Sequence, residues 1–249
     1  MFLNLQVNVF NIYDSNRCEV IALNRVSNNN TFISCITLYT NTNLCEIRHC
    51  FADFLATNVT INITIPTQSD AVPVMSVFGW IIIHQHLGYT FDWQLPWADY
   101  KAGFGSTGAD YWLGLEKMHL LTSSQPYRLR VEMQFRDDLL WLSAEYWSFK
   151  IGDELNDKYR LEVSGYSGDA GDALQYEGNW GKWYHNGMRF TTIDQDNDEG
   201  ITNCAASRGG GWWYNNCYYA CLTCNSASNI WEAYDEFYVV NSRMMIKPQ

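Results

Sequence analysis

Asp194, Asp196 and Asp198 stand at alternate positions in the stretch Phe190-Thr-Thr-Ile-Asp-Gln-Asp-Asn-Asp-Glu-Gly-Ile-Thr-Asn-Cys204. Carboxylates so spaced in a tight loop can converge on one hard cation, while nearby peptide carbonyls complete a shell of about six to eight oxygens. The EF-hand pattern does not apply, because it needs Gly where Glu199 stands and a bidentate Glu where Ala205 stands. A solvated Asp/Asn turn uses the same residue types, so these residues alone leave both readings open. Directly downstream, Cys204 and Cys217 enclose a loop containing Gly209-Gly-Gly-Trp-Trp-Tyr-Asn-Asn216. Joined by a disulfide, that loop is stiff and displays aromatic rings, and closing it contributes roughly 3 kcal/mol in the chain-entropy picture. A cation loop beside a cross-linked loop points to recognition at an extracellular surface more than to catalysis.

The remaining motifs carry less. Cys221-Leu-Thr-Cys224 has a spacing that serves zinc, redox chemistry or a local disulfide. No second such pair lies nearby, which favours the disulfide. Gly103-Phe-Gly-Ser-Thr-Gly108 matches a dinucleotide fingerprint by letter. It follows a helix-like segment and lacks the acidic residue about twenty positions on, so it reads as a turn. Gly165-Tyr-Ser-Gly-Asp169 misses the serine nucleophile elbow at its last glycine. His84 and His86 share one face of an expected strand with no third ligand in view, and read as half-buried strand histidines. No nucleophile–base or acid–base pair stands out, so no enzyme is expected.

Bulk properties agree. The protein has 249 residues, 47 % hydrophobic and 16 % aromatic, enough for one large domain with a smaller appendage. Its formal charge of −11, from 16 Lys and Arg against 27 Asp and Glu, argues against nucleic acid or an anionic membrane as partner. No apolar stretch reaches the about 18 residues needed to span a bilayer. Eight cysteines lie four near each end, Cys18, Cys35, Cys45 and Cys50 opposite Cys204, Cys217, Cys221 and Cys224, as in a disulfide-bonded secreted protein. Sequons at Asn29, Asn58 and Asn62 fit a glycoprotein. Met1 to Phe10 does not read as a signal peptide, because Asn4, Gln6 and Asn8 interrupt the apolar run. Secretion would then need either a start upstream of Met1, which is the expectation here, or another route of export.

Composition divides the protein near residue 75. Residues 1–75 are Asn- and Thr-rich, and Val59 to Ile65 alternates as a half-exposed strand. From Ser76 onward the sequence is aromatic and glycine-punctuated. Strands are predicted over Val77 to His86, Tyr127 to Phe135, Glu145 to Ile151 and Tyr159 to Val163. Helices are predicted over Trp97 to Ala102, after Pro96 and before Gly103, and over Trp112 to Leu121. Beyond Gly165 turns dominate. The expected class is α+β.

The series Phe78-Gly-Trp80, Trp97-Ala-Asp-Tyr-Lys-Ala-Gly-Phe-Gly105, Tyr111-Trp-Leu-Gly-Leu115 and Tyr166-Ser-Gly-Asp-Ala-Gly-Asp172 runs on through His185-Asn-Gly-Met188 and Phe190-Thr-Thr192. Asn203-Cys-Ala205, Gly210-Gly-Trp-Trp-Tyr-Asn-Asn-Cys217 and Met244-Met-Ile-Lys-Pro248 complete it. In order and spacing, 76–249 resembles the fibrinogen C-terminal domain family, which includes ficolins and tachylectin-like lectins. The resemblance implies a central twisted antiparallel sheet, short helices and a loop-rich calcium- and ligand-binding subdomain. It implies Ca2+ held by the side chains of Asp196 and Asp198 and the carbonyls of Gly200 and Thr202, with Asp194 in support. It also implies a Cys204–Cys217 disulfide and a cis Asn216–Cys217 peptide.

The ligand pocket departs from the family pattern. Tyr218 stands where acetyl-binding members carry His, and Arg208 where Tyr is frequent. Cys221-Leu-Thr-Cys224 replaces a usual Asn-Leu-Asn-Gly, and the following loop is cut to Asn225 to Ile230. Arg208, Asn216, Cys217, Tyr218, Tyr219 and Phe237 are the expected ligand-binding residues. Residues 1–75 carry a faint likeness to an apple/PAN module. The expected function is secreted, calcium-dependent recognition of glycans or acetylated ligands in innate immunity. A protein-interaction module using the same face is the alternative, and the resemblance leaves room for a homo-oligomer.

Overall fold

The computed structural model describes residues 19–28, 31–39, 44–52, 59–88, 91–136, 141–175, 184–225, 229–232 and 238–249. The backbone separates into two compact units, Met1–Val59 and Thr60–Gln249. In the first, β1 (Glu19–Asn28), β2 (Thr31–Tyr39) and β3 (Leu44–Ala52) form an antiparallel three-stranded sheet in that order, with Cys35 in register with Cys50. Cys18 and the sequon asparagines Asn29 and Asn58 lie outside the described residues. The second unit begins upstream of residue 75, because β4 (Val59–Thr64) and β5 (Ala71–Val77) extend its sheet.

That sheet also contains β6 (Trp80–Leu87), β9 (Tyr127–Phe135), β10 (Trp141–Ile151), β11 (Leu161–Gly168) and β14 (Val239–Pro248), in the order β11-β10-β9-β14-β6-β5-β4. The short strands β7 (Phe104–Gly105) and β8 (Tyr111–Trp112) pair with each other, and β8 with β6. β9 alternates buried and half-buried residues along its whole length, as its period-two pattern predicts. β6 is central and buried from Ile81 to His86, so the histidines at 84 and 86 are fully buried and not half-buried. The expected strand over Val77 to His86 is in fact two strands, β5 and β6. Phe78 and Gly79 take φ of 48° and 77°, the paired positive values of a two-residue hairpin turn.

The helices among the described residues are short: α1 (Trp97–Ala102), α2 (Leu115–Ser124), α3 (Glu154–Asp157) and α4 (Cys204–Arg208). The helix expected from Trp112 starts only at Leu115. Gly114 at φ 107° cannot continue a helix, and Trp112 is instead paired in β8, with its indole N–H donating to the Tyr100 carbonyl at 2.9 Å. Similarly, Tyr159 precedes β11 in a left-handed turn (φ 54°). β12 (Ala220–Cys221) and β13 (Ile230–Trp231) form a small separate ladder in the loop-rich region. Trp93, Tyr100, Trp112, Phe190, Trp212 and Trp213 are fully buried in the core that joins sheet to loops.

Candidate functional site

The acidic loop is anchored before it can bind anything. Asp194 Oδ1 accepts from the Thr192 hydroxyl at 2.7 Å and from the Trp97 backbone N–H at 2.8 Å. Pro96 offers α1 no side-chain cap, so a distant carboxylate supplies it. Burial acts to raise the Asp194 carboxyl, but those donors hold it below the ordinary carboxylate value. At the other end of the loop Asn203 caps α4: its Oδ1 accepts from Ala206 N–H at 2.9 Å and its Nδ2 donates to the Thr192 carbonyl at 2.9 Å. Asn197 donates to the Phe190 carbonyl at 2.7 Å. Each of these polar side chains serves the backbone and holds the loop's two ends in place.

Asp198 accepts at Oδ1 from Gly200 N–H (2.8 Å) and at Oδ2 from Cys204 N–H (2.9 Å), while its own N–H donates to Asp196 Oδ1 at 3.3 Å. The bonds fix the carboxylate's direction and leave each oxygen a further lone pair. Burial raises the Asp198 carboxyl above its ordinary value, the two N–H donors oppose that, and the neighbouring Asp196 charge adds to it. A divalent cation would remove that penalty. Gly200 shows where oxygens gather. A Cβ placed on it would stand 2.8 Å from Asp198 Oδ1 and 3.1 Å from the Thr202 carbonyl oxygen. Carboxylate, carbonyl and the Cys204 sulfur, 3.3 Å away, close over the same bare backbone position, so only glycine fits there. Among the described residues no three His, Cys, Asp or Glu side chains converge on one point. A cation here depends on backbone oxygens, as the Gly200 and Thr202 carbonyls would provide.

The second loop is tied to the first. Cys204 and Cys217 are disulfide-bonded, and Glu199 N–H donates to the Asn215 carbonyl at 3.0 Å. The Asn216–Cys217 peptide is cis. Cys221 and Cys224 form a second, fully buried disulfide, the local bridge expected at that spacing. Tyr214, also buried, sets its hydroxyl 3.0 Å from Cys224 Sγ and donates to the Gly210 carbonyl at 2.7 Å. The glycine run makes this packing possible. A Cβ on Gly210 would collide with the Thr223 carbonyl, and one on Gly211 would meet the rings of Tyr100 and Phe190 at 2.7 and 2.8 Å.

His185 organises the ligand side of this region, although no motif in the sequence assigns it a role. It is fully buried; its Nδ1 donates to the Trp213 carbonyl at 2.7 Å, and its Nε2 accepts from Tyr219 N–H (3.1 Å) and Ala220 N–H (2.9 Å). Only the neutral ring with its proton on Nδ1 can do both. Burial pushes its pKa down to about 4, partly opposed by the Trp213 carbonyl. The available signal was His185-Asn-Gly187, whose glycine at φ 81° forms the turn that presents the ring.

The expected pocket residues come together in part. Arg208 is exposed and places its guanidinium carbon 5.0 Å from the centroid of the half-buried Tyr218 ring. Tyr218 in turn meets Tyr214 edge-on at 6.2 Å. Asn216 is exposed, while Cys217 and Tyr219 are half-buried on the same segment. Phe237 lies outside the described residues. Burial raises the Glu232 carboxyl, and the Arg208 charge partly draws it back. Among the described residues no carboxylate lies within ion-pair distance of Arg208.

The family of C-terminal globular domains of fibrinogen beta and gamma chains matches residues 74–249. Protein scabrous of Drosophila melanogaster is 38 % identical over 178 residues, 68 % of this chain and 20 % of scabrous. Tenascin of Gallus gallus is 41 % identical over 140 residues, 56 % of this chain and 7 % of tenascin. The chain thus spans a fifth or less of the length of these curated relatives. Among solved structures, the fibrinogen-like globe domain of human ANGPTL2 aligns with a TM-score of 0.67 at 30 % identity, covering 77 % of this chain and 93 % of that one. A lamprey fibrin D-dimer complexed with the peptide ligand Gly-His-Arg-Pro-amide aligns with a TM-score of 0.68 at 27 % identity, covering 77 % and 69 %.

Proposed function

The protein belongs to the family of C-terminal globular domains of fibrinogen beta and gamma chains, and from that premise we propose that it is an extracellular recognition module without chemistry of its own. Its ligand is a protein or peptide that offers an anionic group to Arg208 beside the ring of Tyr218. Calcium on Asp196, Asp198 and the carbonyls of Gly200 and Thr202 orders the loop beneath and so preorganises the face. The observation that carries this reading is the exposed Arg208 guanidinium stacked on Tyr218, with no carboxylate partner among the described residues. A stacked, unpaired guanidinium keeps its N–H edge for a bidentate acceptor. Two disulfides and the lamprey relative's peptide complex support an extracellular protein ligand. Among the described residues no helix is long and apolar enough to cross a membrane.

A glycan or acetylated ligand, as used in innate immune recognition, is the second reading. The half-buried rings of Tyr218 and Tyr219 favour it, since both can stack on a sugar or an acetyl methyl. Panning a displayed peptide library on the whole protein in calcium, with retention on an N-acetylglucosamine resin in parallel, separates the two. Acidic peptides released by EDTA and lost in Arg208→Ala are expected. Resin retention without peptide capture moves the assignment to the glycan, and capture indifferent to both EDTA and Arg208→Ala sinks the site.

A further inference from the structure

On one face of the main sheet, Arg128 of β9 and Lys247 of β14 stand directly opposite each other. Like charges in register destabilise a sheet unless something neutralises them. Two arginines further along the same face are neutralised. Arg130 bonds Glu132 at 2.7 Å and also Glu145, and Arg243 reaches Glu132 at 2.5 Å. Those partners sit in adjoining register positions of β9, β10 and β14. Among the described residues Arg128 and Lys247 have no carboxylate, although acidic residues outnumber basic ones 27 to 16 in the whole sequence.

Tryptophans hold the pair instead. The Arg128 guanidinium carbon lies 5.3 Å from the Trp80 ring and 5.4 Å from the Trp147 ring, and Lys247 Nζ lies 6.0 Å from Trp80. Arg128 Nε is buried and has no hydrogen-bond acceptor among the described residues. A buried donor left unmet is destabilising. Trp147 is 59 % exposed, and Phe78, at the tip of the hairpin that begins β6, is 54 % exposed. Indoles, a phenyl ring and an arginine without an internal carboxylate form the composition of a binding hot spot rather than of a solvated face.

We propose that the row Trp80–Lys247–Arg128–Trp147, with Phe78, docks an acidic segment of a partner protein in which carboxylates alternate with apolar side chains. The carboxylates meet Arg128 and Lys247, and the apolar side chains cover Trp147 and Phe78. A protein segment fits better than a polyanion because the net charge of −11 repels a dense anionic polymer at long range, while a few carboxylates are attracted locally. This surface shares no residue with the Arg208–Tyr218 face and does not depend on how that face is used.

The test is fluorescence anisotropy of the whole protein with a labelled peptide of alternating Glu and Leu, against a Gln-and-Leu version and dextran sulfate as a competitor. Saturable binding of the Glu peptide is expected, weakened about tenfold by the double change Arg128→Gln with Lys247→Gln, roughly one lost charge-assisted hydrogen bond. Trp147→Ala, at an exposed site that threatens the fold least, should weaken it as well, while Arg208→Ala and Asp196→Ala should leave it unchanged. No saturable binding, equal binding of the Gln peptide, indifference to the double change, loss in Arg208→Ala, or displacement by dextran sulfate at equal charge in preference to the peptide overturns the proposal.

Discussion

Acidification should loosen the ligand face through one ring, His185. In the folded protein its Nε2 accepts two backbone N–H groups and so has no room for a proton, and burial depresses its pKa from the ordinary 6.5 to about 4. In the unfolded protein the ring protonates at its ordinary value. Above about pH 6.5 both states are neutral and the full stability is present. As pH falls from there to about 4 the unfolded state binds the extra proton, and stability is lost. At about 1.36 kcal/mol per pH unit this is about 3 kcal/mol over the window, most of it gone by about pH 4.5. His84 titrates low for the same reason, burial, with His86 adding to it, so the wild-type loss alone does not isolate His185. The comparison with His185→Gln does. Glutamine can still offer an oxygen to the Tyr219 and Ala220 amides but cannot titrate. Urea unfolding followed by tryptophan fluorescence, disulfides intact, at about pH 7 and about pH 4.5 should show the variant less stable at the higher pH. It should also lose about 2.4 kcal/mol less than wild type on going to the lower one. An equal acid loss in both proteins would refute the assignment of the neutral, doubly accepting ring.

Calcium at about a hundredfold excess over its dissociation constant should raise stability by about 2.7 kcal/mol, seen as a Tm increase of several degrees that EDTA reverses and Asp198→Asn abolishes; a Tm indifferent to calcium in wild type removes the cation site. Gly210→Ala should lower stability by about 3 kcal/mol in urea titration, because the added methyl meets the rigid Thr223 carbonyl; a change under about 0.5 kcal/mol would show that the buried Cys221–Cys224 turn can shift aside.

Much of the architecture was legible locally. β9 shows its alternation residue by residue, α1 lies between Pro96 and Gly103 as its punctuation predicts, and the motif series placed 76–249 in its family. Boundaries slipped where backbone geometry outweighed pattern. Phe78 and Gly79 turn a continuous apolar run into a hairpin, and Gly114 holds Trp112 out of a helix. At the N-terminal end, the largely exposed β4 and the apolar β5 pair into the same sheet as the aromatic strands, a long-range pairing that composition does not show.

The sequence by itself determined the residue types of the site: alternate aspartates, a glycine run and cysteines at spacings that close short loops. These are local properties, set by side-chain chemistry and a few bonds of backbone. Only the tertiary structure decided which of those residues are scaffold. Asp194 is committed to Trp97, far away in the sequence, and His185 to the amides of Tyr219 and Ala220. Arg208 is set on Tyr218, and Arg128 between Trp80 and Trp147. Such pairings depend on the register of strands and loops remote in sequence, so no window of neighbouring residues contains them.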